Sequence, residues 1–108
     1  MDAKELQTTL KKIHEPKGYL FNRDKDKTLA LLEALIFNRE RYGYMACPCR
    51  LAKDNREADR DIICPCTYRE DDVNEYGSCY CELYVSSDWN EGLIDKIYVP
   101  ERRPAEKC

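Results

Sequence analysis

Cys47-Pro48-Cys49, Cys64-Pro65-Cys66 and Cys79-Tyr80-Cys81 decide how this chain is read. These three C-x-C pairs hold six of the seven cysteines in 108 residues. Spacers of fourteen and twelve residues separate them, the first 46 residues contain no cysteine, and the seventh is the last residue, Cys108. Three uses of so much sulfur are open: disulfide staples, a structural metal, or a redox site. Staples gain most by closing long loops between distant segments. Pairs crowded into residues 47–81 would do little for the N-terminal half, and the cysteine count is odd. A mononuclear tetrahedral zinc favours two to four residues between chelating thiolates, so C-x-C is an unusual zinc pair. It suits sulfurs that serve two different ends. Six thiols also exceed the four that one zinc or one cubane cluster takes. The arithmetic suggests four ligands and a working pair. Pro48 and Pro65 add loop stiffness, since proline fixes φ and removes an N–H.

Outward from the cysteines, the N-terminal half reads as helix. Leu6, Leu10 and Ile13 share one helical face, and Pro16 and Gly18 end the segment. His14 reads as a polar residue at that helix end. Asp24 or Asp26 can cap a second helix over about Lys27 to Arg41, with a wide apolar face of Leu29, Leu31, Leu32, Leu35, Ile36 and Phe37 and a cap at Gly43. Asn55–Ile62 has the composition of a short helix, and the stretch from Thr67 to Tyr76 that of another, ended by Gly77. Leu83-Tyr84-Val85 and Lys96-Ile97-Tyr98-Val99 look like short extended pieces around a turn at Asp88–Gly92.

Composition excludes several classes. Charged residues are 36% of the chain, and the mean hydropathy is −0.76. No apolar run approaches the ~20 residues of a membrane span, and the N-terminus lacks the apolar core of a secretory signal. A net charge of −3 gives no overall field for nucleic acid. A reducing cytoplasm is the expected compartment.

The series C-P-C, C-P-C, C-x-C over Cys47–Cys81, followed by Leu83-Tyr84-Val85, resembles the catalytic (beta) subunit of ferredoxin:thioredoxin reductase and its relatives in anaerobes. The resemblance implies a 4Fe-4S cluster beside a redox-active disulfide. Carried over by position, it makes Cys47, Cys64, Cys66 and Cys79 the cluster ligands, with Pro48 and Pro65 shaping the cluster loops. It makes Cys49 the nucleophile toward a target disulfide and Cys81 its cluster-side partner. It also implies a one-electron donor such as ferredoxin, a thioredoxin-like acceptor, and a possible separate small subunit. The expected fold is mostly α. It is a small single domain over residues 1–108 organised around an iron-sulfur cluster, with short extended segments near the C-terminus. Residues 1–45 form its helical part and 46–85 its cluster and redox-disulfide part.

Two departures stand out. The plant-type pattern has histidine between the last two cysteines, where this chain has Tyr80, a poor base at neutral pH but still a hydrogen-bond donor. The expectation is a positioning role at the catalytic pair. The spacers also differ, which points toward the anaerobic relatives. Charge is uneven: residues 38–60 carry six basic against four acidic side chains, and residues 61–88 one against seven. Arg50, Lys53 and Arg56 are candidates for a surface that steers an acidic donor. The competing readings are a structural zinc or iron-sulfur domain used for partner binding, and an electron relay without disulfide chemistry.

Overall fold

A computed structural model describes all 108 residues. Helix α1 (Ala3–His14) starts at Asp2, whose side chain accepts from the Glu5 N–H at 2.9 Å. Leu6 and Leu10 are buried as their spacing predicts. The stripe then continues to His14 rather than to Ile13, which is 48% exposed. Positions 3, 6, 10 and 14 follow the 3.6-residue period, so geometry seats the imidazole in the core. A 3-10 turn (Glu15–Lys17) and the left-handed Gly18 reverse the chain.

Helix α2 (Lys25–Tyr42) is capped by Asp24, which accepts from the Lys27 N–H at 3.1 Å, and ends at Gly43, φ 87°. Its buried face is narrower than its composition predicts. Thr28, Leu32 and Leu35 are buried, Leu29, Leu31 and Ile36 are partly covered, and Phe37 is 59% exposed. The Thr28 hydroxyl tolerates burial because it donates to the Asn22 carbonyl at 2.8 Å.

The helix expected at Asn55–Ile62 is instead a chain of turns with one 3-10 turn at Arg60–Ile62. Side chains compete there with helical bonding. Asn55 accepts from the Ala58 N–H, while fully buried Asp59 accepts from the Lys53 N–H and the Tyr44 hydroxyl. Helix α3 (Arg69–Tyr76) ends at left-handed Gly77, where the sequence predicts. Helix α4 (Ser87–Asn90), capped by Ser86, stands in the place of the expected turn.

Strand β2 (Tyr84–Val85) pairs antiparallel with β1 (Leu20–Phe21), Leu20 opposite Val85 and Phe21 opposite Tyr84. It does not pair with Lys96–Val99, which is irregular and exposed up to Val99. Ser78 bridges Val85 on its other side, so β2 has no free edge left for that segment. The tail is pinned by charge instead. Arg102 meets Asp72 at 2.9 Å and also Glu75, and Arg103 meets Asp61 at 2.9 Å. The result is a compact domain of four helices and one two-stranded sheet, with helix as its main regular structure. No helix is long and apolar enough to cross a membrane.

Candidate iron-sulfur and dithiol site

Local pairing brings the three C-x-C segments together. Ala46 and Ile63 form an antiparallel bridge, with Cys47 N–H donating to the Ile62 carbonyl and Cys64 N–H to the Met45 carbonyl, both at 2.8 Å. The first two pairs therefore leave one short ladder side by side. The Cys64–Pro65 peptide bond is cis. The third pair sits in a turn at the end of β2. Cys79 N–H donates to the Tyr84 carbonyl and Glu82 N–H to the Cys79 carbonyl. Glu82 closes this turn in the left-handed region at φ 62°. The Asn22 amide donates to the Glu82 carbonyl at 2.9 Å, tying the turn to the start of α2.

Cys47, Cys64, Cys66, Cys79 and Cys81 line one cavity, together with Pro48, Pro65 and apolar Leu31 and Leu83. The sulfurs surround a space rather than converging on a point, and no three thiol, imidazole or carboxylate groups meet closely enough to hold a single ion. Cys49 lies outside the cavity. It is exposed in an adjoining groove with Lys27, Glu82 and Tyr98, and Cys81 and Tyr80 border both spaces. All seven cysteines are free thiols. The Cys81 sulfur lies 2.9 Å from that of Cys47.

Electrostatics separates these thiols. Burial pushes Cys64 far up and Cys79 to about 11, despite N–H groups from Tyr84, Leu83 and Cys81 facing the Cys79 sulfur. Cys47 is held at about 7 by the Cys81 thiol that bonds it, aided by the Cys49 N–H and the Arg50 charge. Cys49 is lowered as well, by the Cys81 thiol first, then by Lys27 and Arg50. Cys81 is pushed up, since it supplies the proton to both neighbours.

Arg50 is not part of the exposed surface that its charge suggests. Its side chain is 3% exposed and gripped by Glu101 at 2.7 and 2.8 Å. One guanidinium nitrogen lies 3.5 Å from the Cys47 sulfur and 3.6 Å from that of Cys66. The group stacks over Tyr80 at 4.4 Å from the ring centre. Tyr80 therefore seats Arg50, and burial raises its own phenol pKa. Lys53 and Arg56 are exposed. Cys108 is exposed at the chain end.

Two cavity-wall residues were not expected at the site from sequence. Arg69, at the start of α3, is buried, and its Nη1 bonds His14 Nδ1 at 2.9 Å. The Tyr84 hydroxyl is buried with no hydrogen-bond partner. An iron-sulfur cluster fits this surround. The cavity offers thiols that could ligate it, an apolar wall, a buried O–H without a partner and a buried cation, a lining that would favour a negatively charged group.

The chain also matches a known family and several curated relatives. The family model described as ferredoxin thioredoxin reductase catalytic beta chain matches residues 2–101. Among curated relatives, the ferredoxin-thioredoxin reductase catalytic chain of Porphyra purpurea is 29% identical over 92 residues, covering 83% of this chain and 74% of that protein. Those of Pyropia yezoensis (30% over 80 residues) and Guillardia theta (33% over 70 residues) are each covered over 65% of their own length. The alignment runs from α1 to the Glu101 that grips Arg50, so it takes in every residue of the cavity and groove. On that extent, the chain belongs to the ferredoxin thioredoxin reductase catalytic beta chain family, oxidoreductases that act on disulfides.

Proposed function

We propose that this chain is an iron-sulfur disulfide reductase that takes electrons from ferredoxin or a similar one-electron donor and reduces a thioredoxin-like protein. A 4Fe-4S cluster held by Cys47, Cys64, Cys66 and Cys79 would supply the electrons singly. The rest of the chemistry belongs to two thiols. The Cys49 sulfur, as thiolate, attacks one sulfur of the target disulfide. The target S–S bond breaks, its second sulfur leaves with the electron pair, and a mixed disulfide forms. The Cys81 sulfur then attacks Cys49, releasing the reduced target and leaving a Cys49–Cys81 disulfide. Two electrons from the donor and two protons restore the dithiol. Lys27 and Arg50 favour the attacking thiolate, and Tyr80 holds Arg50 in place. Lys53 and Arg56 remain candidates for donor docking. The family's term "catalytic chain" also favours a second, separate subunit, and the dithiol cycle suits a reducing cytoplasm.

The observation that carries this reading is the division of the thiols. Four expected ligands line one cavity, the expected nucleophile alone of the six is exposed, and Cys81 borders both spaces. A mononuclear zinc takes four ligands and favours two to four residues between paired thiolates, so three C-x-C pairs suit it poorly. The test is an anaerobic preparation assayed for iron, sulfide, visible absorbance and thiol count before and after two-electron reduction. A cluster plus one reducible disulfide is expected, with Cys49→Ser keeping the cluster and losing target reduction by at least about a hundredfold. A colourless protein binding zinc would overturn the reading. Full activity in Cys49→Ser would reduce it to an electron relay.

A further inference from the structure

Arg69 presents a cost that the disulfide chemistry does not explain. Its side chain is buried, yet no carboxylate lies within 4.0 Å of its nitrogens, unlike Arg50, Arg102 and Arg103, each of which has an acidic partner. Its one side-chain hydrogen bond goes to His14 Nδ1 at 2.9 Å. Because a guanidinium only donates, Nδ1 must carry the lone pair, so the imidazole is neutral. That agrees with a His14 pKa pushed down to about 4 by burial and by the Arg69 charge itself. The guanidinium carbon lies 3.8 Å from the Tyr19 ring centre and 4.7 Å from that of Tyr84, and the Tyr84 ring also meets His14 edge-on at 5.0 Å. Aromatic faces and a neutral imidazole hold the cation in position without cancelling its charge. Arg69 lines the same cavity as Cys64, Cys66 and Cys79. An isolated buried cation is unfavourable unless opposite charge lies beside it; no carboxylate lines that wall, whose most acidic groups are the thiols.

We infer that Arg69, clamped by His14 between Tyr19 and Tyr84, is the fixed counter-charge of the group bound in the thiol cavity and sets how readily that group accepts an electron. The inference rests on the iron-sulfur reading above. Positive charge favours the more negative, reduced state, so Arg69 raises the reduction potential. Arg50 contributes less, because Glu101 already neutralises it. His14 is a positioning residue acting through Arg69.

The experiment is a redox titration of the intact protein followed by visible and paramagnetic spectroscopy, with Arg69→Gln and Arg69→Lys beside the native chain. Arg69→Gln is expected to shift the midpoint to more negative potential, with Arg69→Lys staying nearer the native value. If Arg69→Gln fails to retain iron and sulfide while Arg69→Lys retains them, the charge is again what matters. A native midpoint in Arg69→Gln overturns the inference, as does an equal shift or equal iron loss in both variants, which would mark a packing role. Iron and sulfide in the native protein separate the two levels. Their absence defeats the iron-sulfur reading, whereas a native cluster with an unmoved Arg69→Gln midpoint defeats this inference alone.

Discussion

At the scale of single residues, His14 shows how far burial can change a group's meaning. In the sequence it is a polar residue near a helix end. In the fold it closes the α1 stripe and accepts from Arg69. No local pattern links the two, since they lie 55 positions apart. Arg69 is likewise invisible as a site residue, because an arginine three places after a cysteine has no motif. The six paired cysteines, by contrast, stand out in the sequence because metal and dithiol chemistry constrain spacing tightly, and five of them line one cavity. Arg50 was picked out for its charge and misplaced, since sequence does not say which way a side chain turns. His14 has a consequence for stability. Its folded pKa is lowered from 6.5 to about 4, so the unfolded chain binds more protons between those values. Its contribution is therefore complete above about pH 6.5 and is lost as pH falls toward 4. Urea unfolding from pH 7 to pH 4.5, with His14→Gln as reference, should show a steeper decline in the native chain. Parallel declines would show that His14 is not the source.

Elements divide by how local their signals are. Helices α1, α2 and α3 were legible because caps and period lie within each segment, and Asp24, Gly43 and Gly77 act where they are expected. The two-stranded sheet was not. Two residues are too short to show alternation, and the partners lie far apart in sequence. Lys96–Val99 had the better strand composition and lost because β2 was already flanked by β1 and Ser78. The face of α2 was overestimated for a related reason: composition counts apolar residues, while packing covers only some of them. Truncation should expose the difference. Leu32→Ala empties a fully buried position and should cost about 2–5 kcal/mol. Phe37→Ala, on the exposed side, should change stability by less than about 1 kcal/mol. Denaturant midpoints of both variants decide whether the buried stripe is Thr28, Leu32 and Leu35 or the wider one.

Over the whole molecule, the acidic stretch from Asp61 to Asp88 is balanced from a distance. Arg102 and Arg103 return from the tail to Asp72, Glu75 and Asp61, and Arg103 also donates to the Ala58 carbonyl at 3.0 Å. Glu101, one residue earlier, holds Arg50 against the site sulfurs. The tail thus fastens the loops between the cysteine pairs and presents one charge to the cavity wall. Arg103→Ala should strip buried Asp59 and partly covered Asp61 of their nearest cation and cost about 3–5 kcal/mol. Thermal unfolding of the intact protein measures this. A loss below about 1 kcal/mol would mean that the tail rests on the body without securing it.

The exposure of Cys49 beside five better-covered paired sulfurs also bears on how such a protein wears out. A thiol that is open to solvent and favoured as thiolate is the first to climb the oxidation ladder toward sulfinic and sulfonic acids. Cys81, which borders the same groove and is its proposed disulfide partner, would intercept the early sulfenic stage and return it to a reducible bond. The pairing that serves turnover would then also repair, and permanent damage would begin only when oxidation at Cys49 outruns its neighbour.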